Sequence, residues 1–143
     1  MTQDEELTKY LALIEQYKEQ MNTLDMQSQY VQSAIIDYNK AKITLENLKK
    51  TDKDKEILLP IGGSTFLNAT LKNPSNVLFD IGAGVVAEKK TEDAIININK
   101  KIEELQKTLE QIYSVMQNLQ NSSAEVSAKA QKLMAESEKE DNR

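Results

Sequence analysis

The chain contains no cysteine and no histidine among its 143 residues. Without cysteine there can be neither a disulfide framework nor a thiolate metal site, and without histidine the commonest general base and metal ligand is missing. Tryptophan is absent and aromatic residues make up 5% of the chain, so we expect no large globular core. No apolar run approaches the roughly 18 residues that a membrane span needs, and the N-terminus has no signal-peptide pattern. These absences predict a soluble, cytoplasmic protein that is not an enzyme and carries no metal or other cofactor.

The charge of the chain excludes another class of partner. The net charge is −5, with charged residues making up 29% of the sequence. Sequence-independent binding to nucleic acid needs clustered lysine and arginine, and no basic stripe is visible on either flank. We therefore expect neither nucleic acid nor a membrane as partner.

Glycine and proline are scarce, and their placement divides the chain. All four glycines and both prolines lie between Pro60 and Gly84, so residues 1–59 and 85–143 lack the two strongest helix breakers. The division predicts an N-terminal helix over residues 1–50, a β block over 56–90, a second helix over 91–136 and a frayed tail over 137–143. Thr91 is the expected N-cap of the second helix.

Each flank carries apolar residues in alternating steps of three and four, the 3.5-residue repeat of a coiled-coil seam. The first seam runs from Leu7 to Leu45 with Ser28 and Lys42 as polar exceptions, and the second runs from Ile95 to Leu133. Each helix would span about 63–65 Å at roughly 1.5 Å per residue. Two apolar seams of equal length are most simply buried against each other in an antiparallel coiled coil. Packing into an ordinary bundle is the alternative.

Two registers of that coiled coil are open. Paired residue numbers sum either to about 140, with Leu24 opposite Met116, or to about 147, with Leu24 opposite Ser123. The first option uses every seam residue, so we prefer it.

The β block contains four candidate strands, at 57–61, 65–71, 77–81 and 85–88, separated by turn residues. Gly62-Gly63 is a hairpin-type pair, and Asn73 to Asn76 is typical of a type I turn. The turns divide the block into two hairpins, and the fold class is α+β. Two hairpins are marginal alone, and nothing in the chain is expected to cover their apolar side chains, so we interpret the block as an assembly platform. Its expected interface residues are Phe66, Leu67, Leu71, Val77, Phe79, Ile81, Val85 and Val86.

The glycine pairs do not predict a phosphate site. Neither is followed by Lys-Ser/Thr or set between a strand and a helix, so hairpin turns explain them better. Asp80 is expected to cap backbone amides in its turn rather than to act as an acid.

The segment from Ile57 to Ala94 resembles the double-hairpin signature of α-class prefoldin subunits of archaeal type. The resemblance rests on Leu59-Pro60, Gly62, Val77, Asp80-Ile81-Gly82, Gly84, Glu88-Lys89 and Glu92-Asp93-Ala94. It implies a heterohexamer of two α-class and four β-class subunits (α2β4), whose hairpins join in an oligomeric β-barrel body from which coiled coils extend. It also implies nucleotide-independent binding of unfolded client proteins at the distal tips and delivery of those clients to a group II chaperonin.

At the tips the apolar residues exceed what the seam requires. Leu11 and Leu13 occupy the e and g positions that flank the first seam, and Met134 occupies an e position of the second. Such residues either thicken the helix pair or form a loose binding surface, and the resemblance favours the second. The expected client-binding residues are Leu7, Tyr10, Leu11, Leu13, Ile14, Leu133 and Met134. A structural coiled-coil protein that builds filaments or scaffolds through its β block is the alternative function.

Overall fold

The computed structural model describes residues 2–142, which form two long helices and four strands. In chain order these are α1 (Gln3–Lys49), β1 (Lys55–Gly62), β2 (Thr65–Leu71), β3 (Asn76–Gly82), β4 (Val85–Lys90) and α2 (Thr91–Asp141). The chain divides into two compact units. The helical unit combines residues 2–33 with 106–142, and the hairpin unit comprises residues 34–105. Neither helix, over its described residues, is apolar enough over a sufficient length to cross a membrane.

In the helical unit the predicted seams are the covered sides of both helices. The seam positions of α1 up to Val31 are half-buried, and Ser28 is fully buried. On α2 every seam position from Leu109 to Leu133 is at least half-buried, while most other positions are exposed. Ser28 is tolerated in the seam because its hydroxyl donates a 2.7 Å hydrogen bond to the carbonyl of Asp25, so no buried polar group is left unpaired.

The contacts between the helices agree with the first register. Leu24 lines one groove together with Val115 and Leu119, and its expected partner Met116 lies between these two residues in the sequence. In the hairpin unit Lys49 Nζ lies 3.4 Å from Glu92 Oε1. The sum of these two residue numbers is within one of the value that defines the first register.

The N-terminal end of α1 is capped, and α2 extends beyond its predicted end. Thr2 and Glu5 form a reciprocal capping box, in which Glu5 N donates to Thr2 Oγ1 at 3.3 Å and Thr2 N donates to Glu5 Oε2 at 3.4 Å. Such a box provides hydrogen-bond acceptors for backbone N–H groups of the first turn that have none within the helix. At the other end α2 continues to Asp141, so it includes residues 137–141 of the expected frayed tail, whose last residue, Arg143, lies outside the described residues. Residues 137–141 are all polar, and Ser137 is half-buried.

The β block forms two separate two-stranded antiparallel sheets, β1–β2 and β3–β4. Both end in the same kind of two-residue loop with positive φ at its two central residues, Gly63-Ser64 in one and Ala83-Gly84 in the other. This is the geometry of a type I′ turn, which suits the twist of a hairpin. The predicted turn pair Gly62-Gly63 is therefore shifted by one residue, because Gly62 still pairs with Thr65 beside a register shift.

Thr91 links the start of α2 to the segment between the two hairpins by two hydrogen bonds. Its backbone N donates to the carbonyl of Ser75 at 2.8 Å, and its hydroxyl donates to the carbonyl of Pro74 at 2.7 Å. Thr91 is 2% exposed and Pro74 is buried. The expected turn at Asn73 is present, with Ser75 N bonded to Asn73 Oδ1 at 3.2 Å. In the structure α2 begins at Thr91, and the hydroxyl of Thr91, the expected N-cap, bonds to the segment between the hairpins.

Candidate functional site

Two apolar surfaces were predicted, one in each unit. We call the eight hairpin residues from Phe66 to Val86 the hairpin surface, and the seven residues at the start of α1 and the end of α2 the end surface. Both are built from side chains on regular elements, so their backbone is held by strand or helix hydrogen bonds. Their exposure differs in ways that the sequence did not indicate.

Most of the hairpin surface faces solvent within this chain. Phe66, Leu67, Ile81, Val85 and Val86 are more than half exposed. The two hairpins expose further apolar residues that the prediction omitted. Their signal was the run of consecutive apolar residues in β1 and in β3. These further residues are Leu58, Leu59, Ile61 and Leu78.

Three predicted members of the hairpin surface are partly covered by the chain itself, contrary to the expectation that nothing covers them. Leu71, Val77 and Phe79 are half-buried. Val77 and Phe79 line a groove of about 470 Å³ whose other wall is formed by the helices of the same unit. The helices of the hairpin unit therefore face the second hairpin as well as each other. The helical lining residues are Tyr38, Ala41, Thr44, Leu45, Ala94 and Ile98.

The turn of the second hairpin has the expected local chemistry. Asp80 Oδ1 accepts a 2.9 Å hydrogen bond from Gly82 N, so this carboxylate caps the turn as predicted. Lys89 Nζ lies 4.9 Å from the ring centroid of Phe79, a distance at which a cation is attracted to an aromatic face. Over the described residues no group of acidic side chains is placed to hold a metal ion.

The end surface separates into covered and exposed members. Leu7, Tyr10 and Ile14 on α1 and Leu133 on α2 are half-buried in the seam, and Leu13 is also half-buried. Leu11 is 50% exposed and Met134 is 42% exposed. Because seam residues stabilise the helix pair, the freely available apolar area at this end belongs to Leu11 and Met134.

Contacts elsewhere in the helical unit show on which side these two residues lie. Gln32 Nε2 donates to the hydroxyl of Tyr113, and both residues occupy e positions. Leu11 lies three heptads before Gln32, and Met134 lies three heptads after Tyr113. A heptad repeat returns a residue to the same side of a coiled coil. Leu11 and Met134 therefore lie on one side of the helix pair, in the same relation as the bonded pair.

The opposite side of the helical unit carries a groove of about 560 Å³. Its apolar lining residues are Leu24, Val115 and Leu119, and its polar lining residues are Gln16, Glu19, Gln20 and Thr23. The groove is lined by seam residues and by positions c, f and g, never by e or b. The two sides of the unit are thus chemically different, which the seam pattern alone did not reveal.

Comparisons with known proteins agree on one family. The family model for "Prefoldin subunit" matches residues 17–136. The chain is 31% identical over 114 residues to a prefoldin subunit alpha of Methanococcus maripaludis, covering 80% of this chain and 77% of that protein. It is 28% identical over 137 residues to that of Methanococcus vannielii, covering 96% and 92%. The crystal structure of the prefoldin beta subunit from Thermococcus strain KS-1 is similar in fold, with a TM-score of 0.58 at 18% identity, covering 88% of this chain and 90% of that one.

Proposed function

This chain belongs to the prefoldin family, which implies a chaperone role, and on that premise we propose that it is an α-class subunit of a nucleotide-independent holdase. In this proposal the end surface binds non-native polypeptides in the cytosol, and the assembled complex passes them to a group II chaperonin. The observation that carries the proposal is the exposure of Leu11 and Met134 together on one side of the helical unit.

The chemistry of this pair suits transient binding of many sequences. Both side chains are held on rigid helices, so binding costs no ordering of the backbone. Methionine is flexible and polarizable, and it adapts to apolar partners of different shape. Two exposed side chains bury too little area for tight binding, and weak contact is what a protein that must release its clients requires.

Affinity would come from several copies acting together. Sites on one assembled body raise each other's effective concentration, so avidity can exceed the affinity of a single site by orders of magnitude. The hairpin surface supports such an assembly, because both sheets have only two strands and each strand has a free edge. Free edges beside exposed apolar faces favour pairing with strands from other subunits. We propose β-class prefoldin subunits as the partners in an α2β4 hexamer.

The proposed client site is tested with a double substitution and a matched control. Leu11→Ser with Met134→Ser removes the exposed apolar area and leaves the half-buried seam intact. Met26→Ser with Tyr30→Ser is the control, since these residues are also exposed apolar side chains of the helical unit, at 70% and 84%. We expect weaker suppression of aggregation of a chemically denatured client at limiting chaperone in the first variant, and no change in the control.

The loss should be partial, since other subunits keep their own sites, and ATP should change neither protein. Equal suppression by wild type and the Leu11/Met134 variant would remove these residues from client binding.

Assembly is tested separately by native mass spectrometry of the chain with and without a β-class partner. A defined hexamer supports the proposal. Open-ended filaments formed by this chain alone would instead support the scaffold function.

A further inference from the structure

Charge is distributed unequally between the two units of the chain. Over residues 1–33 and 106–143 the sequence has twelve acidic and seven basic residues, whereas residues 34–105 have eleven of each. The part of the sequence that contains the helical unit therefore carries the whole net charge of −5. The proposed client site lies in this acidic unit.

The charge is also unequal between the two sides of the helical unit near the end surface. We call the side formed by heptad positions e and b of both helices the e-face. The bond between Gln32 and Tyr113, both at e positions, shows that these positions of the two helices share a side. The groove lined by Gln20, Leu24 and Val115 shows that the g positions share the other side.

Leu11 and Met134 lie on the e-face among carboxylates. Asp4 and Glu15 precede and follow Leu11 on that face of α1, and Glu138 and Asp141 follow Met134 on that face of α2. All four side chains are exposed, and within residues 2–142 none has an ion-pair partner. Among the described residues, Lys18 is the one cation at an e or b position near the end surface.

The opposite face at the same end is different. Four lysines occupy its g and c positions together with three glutamates, so its charges nearly cancel. These residues are Lys9, Lys129, Lys132, Lys139, Glu6, Glu125 and Glu136.

From this arrangement we infer that the e-face at the end surface selects client segments in which an apolar stretch is flanked by lysine or arginine. The inference rests on the proposed function and specifies its client class. The apolar stretch covers Leu11 and Met134, and the flanking cations lie against the four unpaired carboxylates. Acidic clients are disfavoured, because like charges would be brought together on that face.

The effect has a defined size and salt dependence. Exposed ion pairs contribute little each, but four carboxylates around one small apolar site add together, and a client with flanking acids meets repulsion instead. A preference of roughly tenfold in dissociation constant for cationic over anionic flanks is expected at low ionic strength. Screening should reduce it strongly at about 1 M salt, where the Debye length falls to about 3 Å.

Two fluorescent peptides test the inference by anisotropy with the full-length chain in its assembled form. Both share one leucine- and phenylalanine-rich core, and they differ only in having lysines or glutamates at both ends. A neutralised variant removes the four carboxylate charges of the e-face with little change in side-chain size. The control variant removes two acidic and two basic charges from the opposite face, so the net charge of that face is unchanged. The substitutions are Asp4→Asn, Glu15→Gln, Glu138→Gln and Asp141→Asn in the first, and Glu6→Gln, Glu125→Gln, Lys9→Gln and Lys132→Gln in the control.

We expect the wild type and the control to bind the lysine peptide roughly tenfold more tightly than its glutamate twin, and the neutralised variant to bind the two alike. Circular dichroism should show unchanged helix content in both variants. Equal binding of the two peptides by the wild type, no binding of the lysine peptide, or an unchanged preference in the neutralised variant overturns the inference.

Failure of the proposed function has a different signature. In that case the Leu11→Ser, Met134→Ser variant binds the lysine peptide as tightly as the wild type. If instead this variant binds both peptides more weakly than the wild type, and the wild type binds the two equally, the client site stands and the charge selection is wrong.

Discussion

Replacing Thr91 with valine removes one hydroxyl and keeps the approximate size of the side chain. That hydroxyl donates a 2.7 Å hydrogen bond to the carbonyl of Pro74 in a buried environment. Thr91 is 2% exposed, so water cannot replace the lost donor without a structural change. The bond joins α2 to the segment between the hairpins, and its loss should loosen the hairpin unit.

The magnitude follows from the burial of the acceptor. A buried carbonyl left without its partner costs about 1–3 kcal/mol. For a domain of this size each kcal/mol lowers the melting temperature by roughly 2–4 °C. The Thr91→Val chain should therefore melt about 2–12 °C below wild type. Because assembly couples stability to concentration, the proteins must be compared at equal subunit concentration.

Two further variants identify the cause. Thr91→Ser keeps the hydroxyl and should recover most of the lost stability. Thr65→Val removes an exposed hydroxyl that lies 3.2 Å from the Gly63 carbonyl, and it should change the unfolding free energy by less than about 0.5 kcal/mol. Melting by circular dichroism distinguishes these outcomes. If Thr91→Val melts together with Thr65→Val and wild type, the Thr91–Pro74 bond does not stabilise the hairpin unit.

The remaining predictions concern assembly and register. Phe66→Asp places a charge on an exposed part of the hairpin surface, so the complex should dissociate in native mass spectrometry while the melting of the separated chain changes little. Phe79→Asp should break the assembly and also destabilise the chain, because Phe79 lines the groove against the helices. A Phe66→Asp complex of unchanged mass would remove Phe66 from the interface. For the register, Leu24→Cys with Met116→Cys should oxidise to an intramolecular disulfide, which requires Cα atoms within about 7 Å, whereas efficient coupling of Leu24→Cys to Ser123→Cys would establish the second register.

Much of the fold follows from local sequence signals. The confinement of glycine and proline to one segment separates helices from strands, and the step pattern from Ile95 to Leu133 identifies the covered side of α2, because burial repeats with the same period as the helix. The capping box of Thr2 and Glu5 also has a local sequence signal, the Thr-x-x-Glu pattern, although no cap was predicted at this end of α1.

The remaining features depend on contacts that no local pattern encodes. The bond from Thr91 to Pro74 joins residues seventeen positions apart, and Phe79 is partly covered because the second hairpin folds against the helices of its own unit. A period of two shows that a strand has an apolar side, and it does not show which element covers that side. For the same reason the heptads predicted an apolar excess at the end surface without showing that Leu11 and Met134 alone are freely exposed.

Non-native polypeptides should contact the end surface, and site-specific photo-cross-linking measures this contact directly. A photoreactive residue replaces Leu11 in one protein and Tyr30 in another. Tyr30 is 84% exposed in the same unit, so both probes are accessible. On irradiation with a labelled denatured client, the probe at position 11 should form cross-links and the probe at position 30 should form few or none, and the native client should cross-link to neither. Equal cross-linking at both positions, or none at position 11, would contradict binding at the end surface.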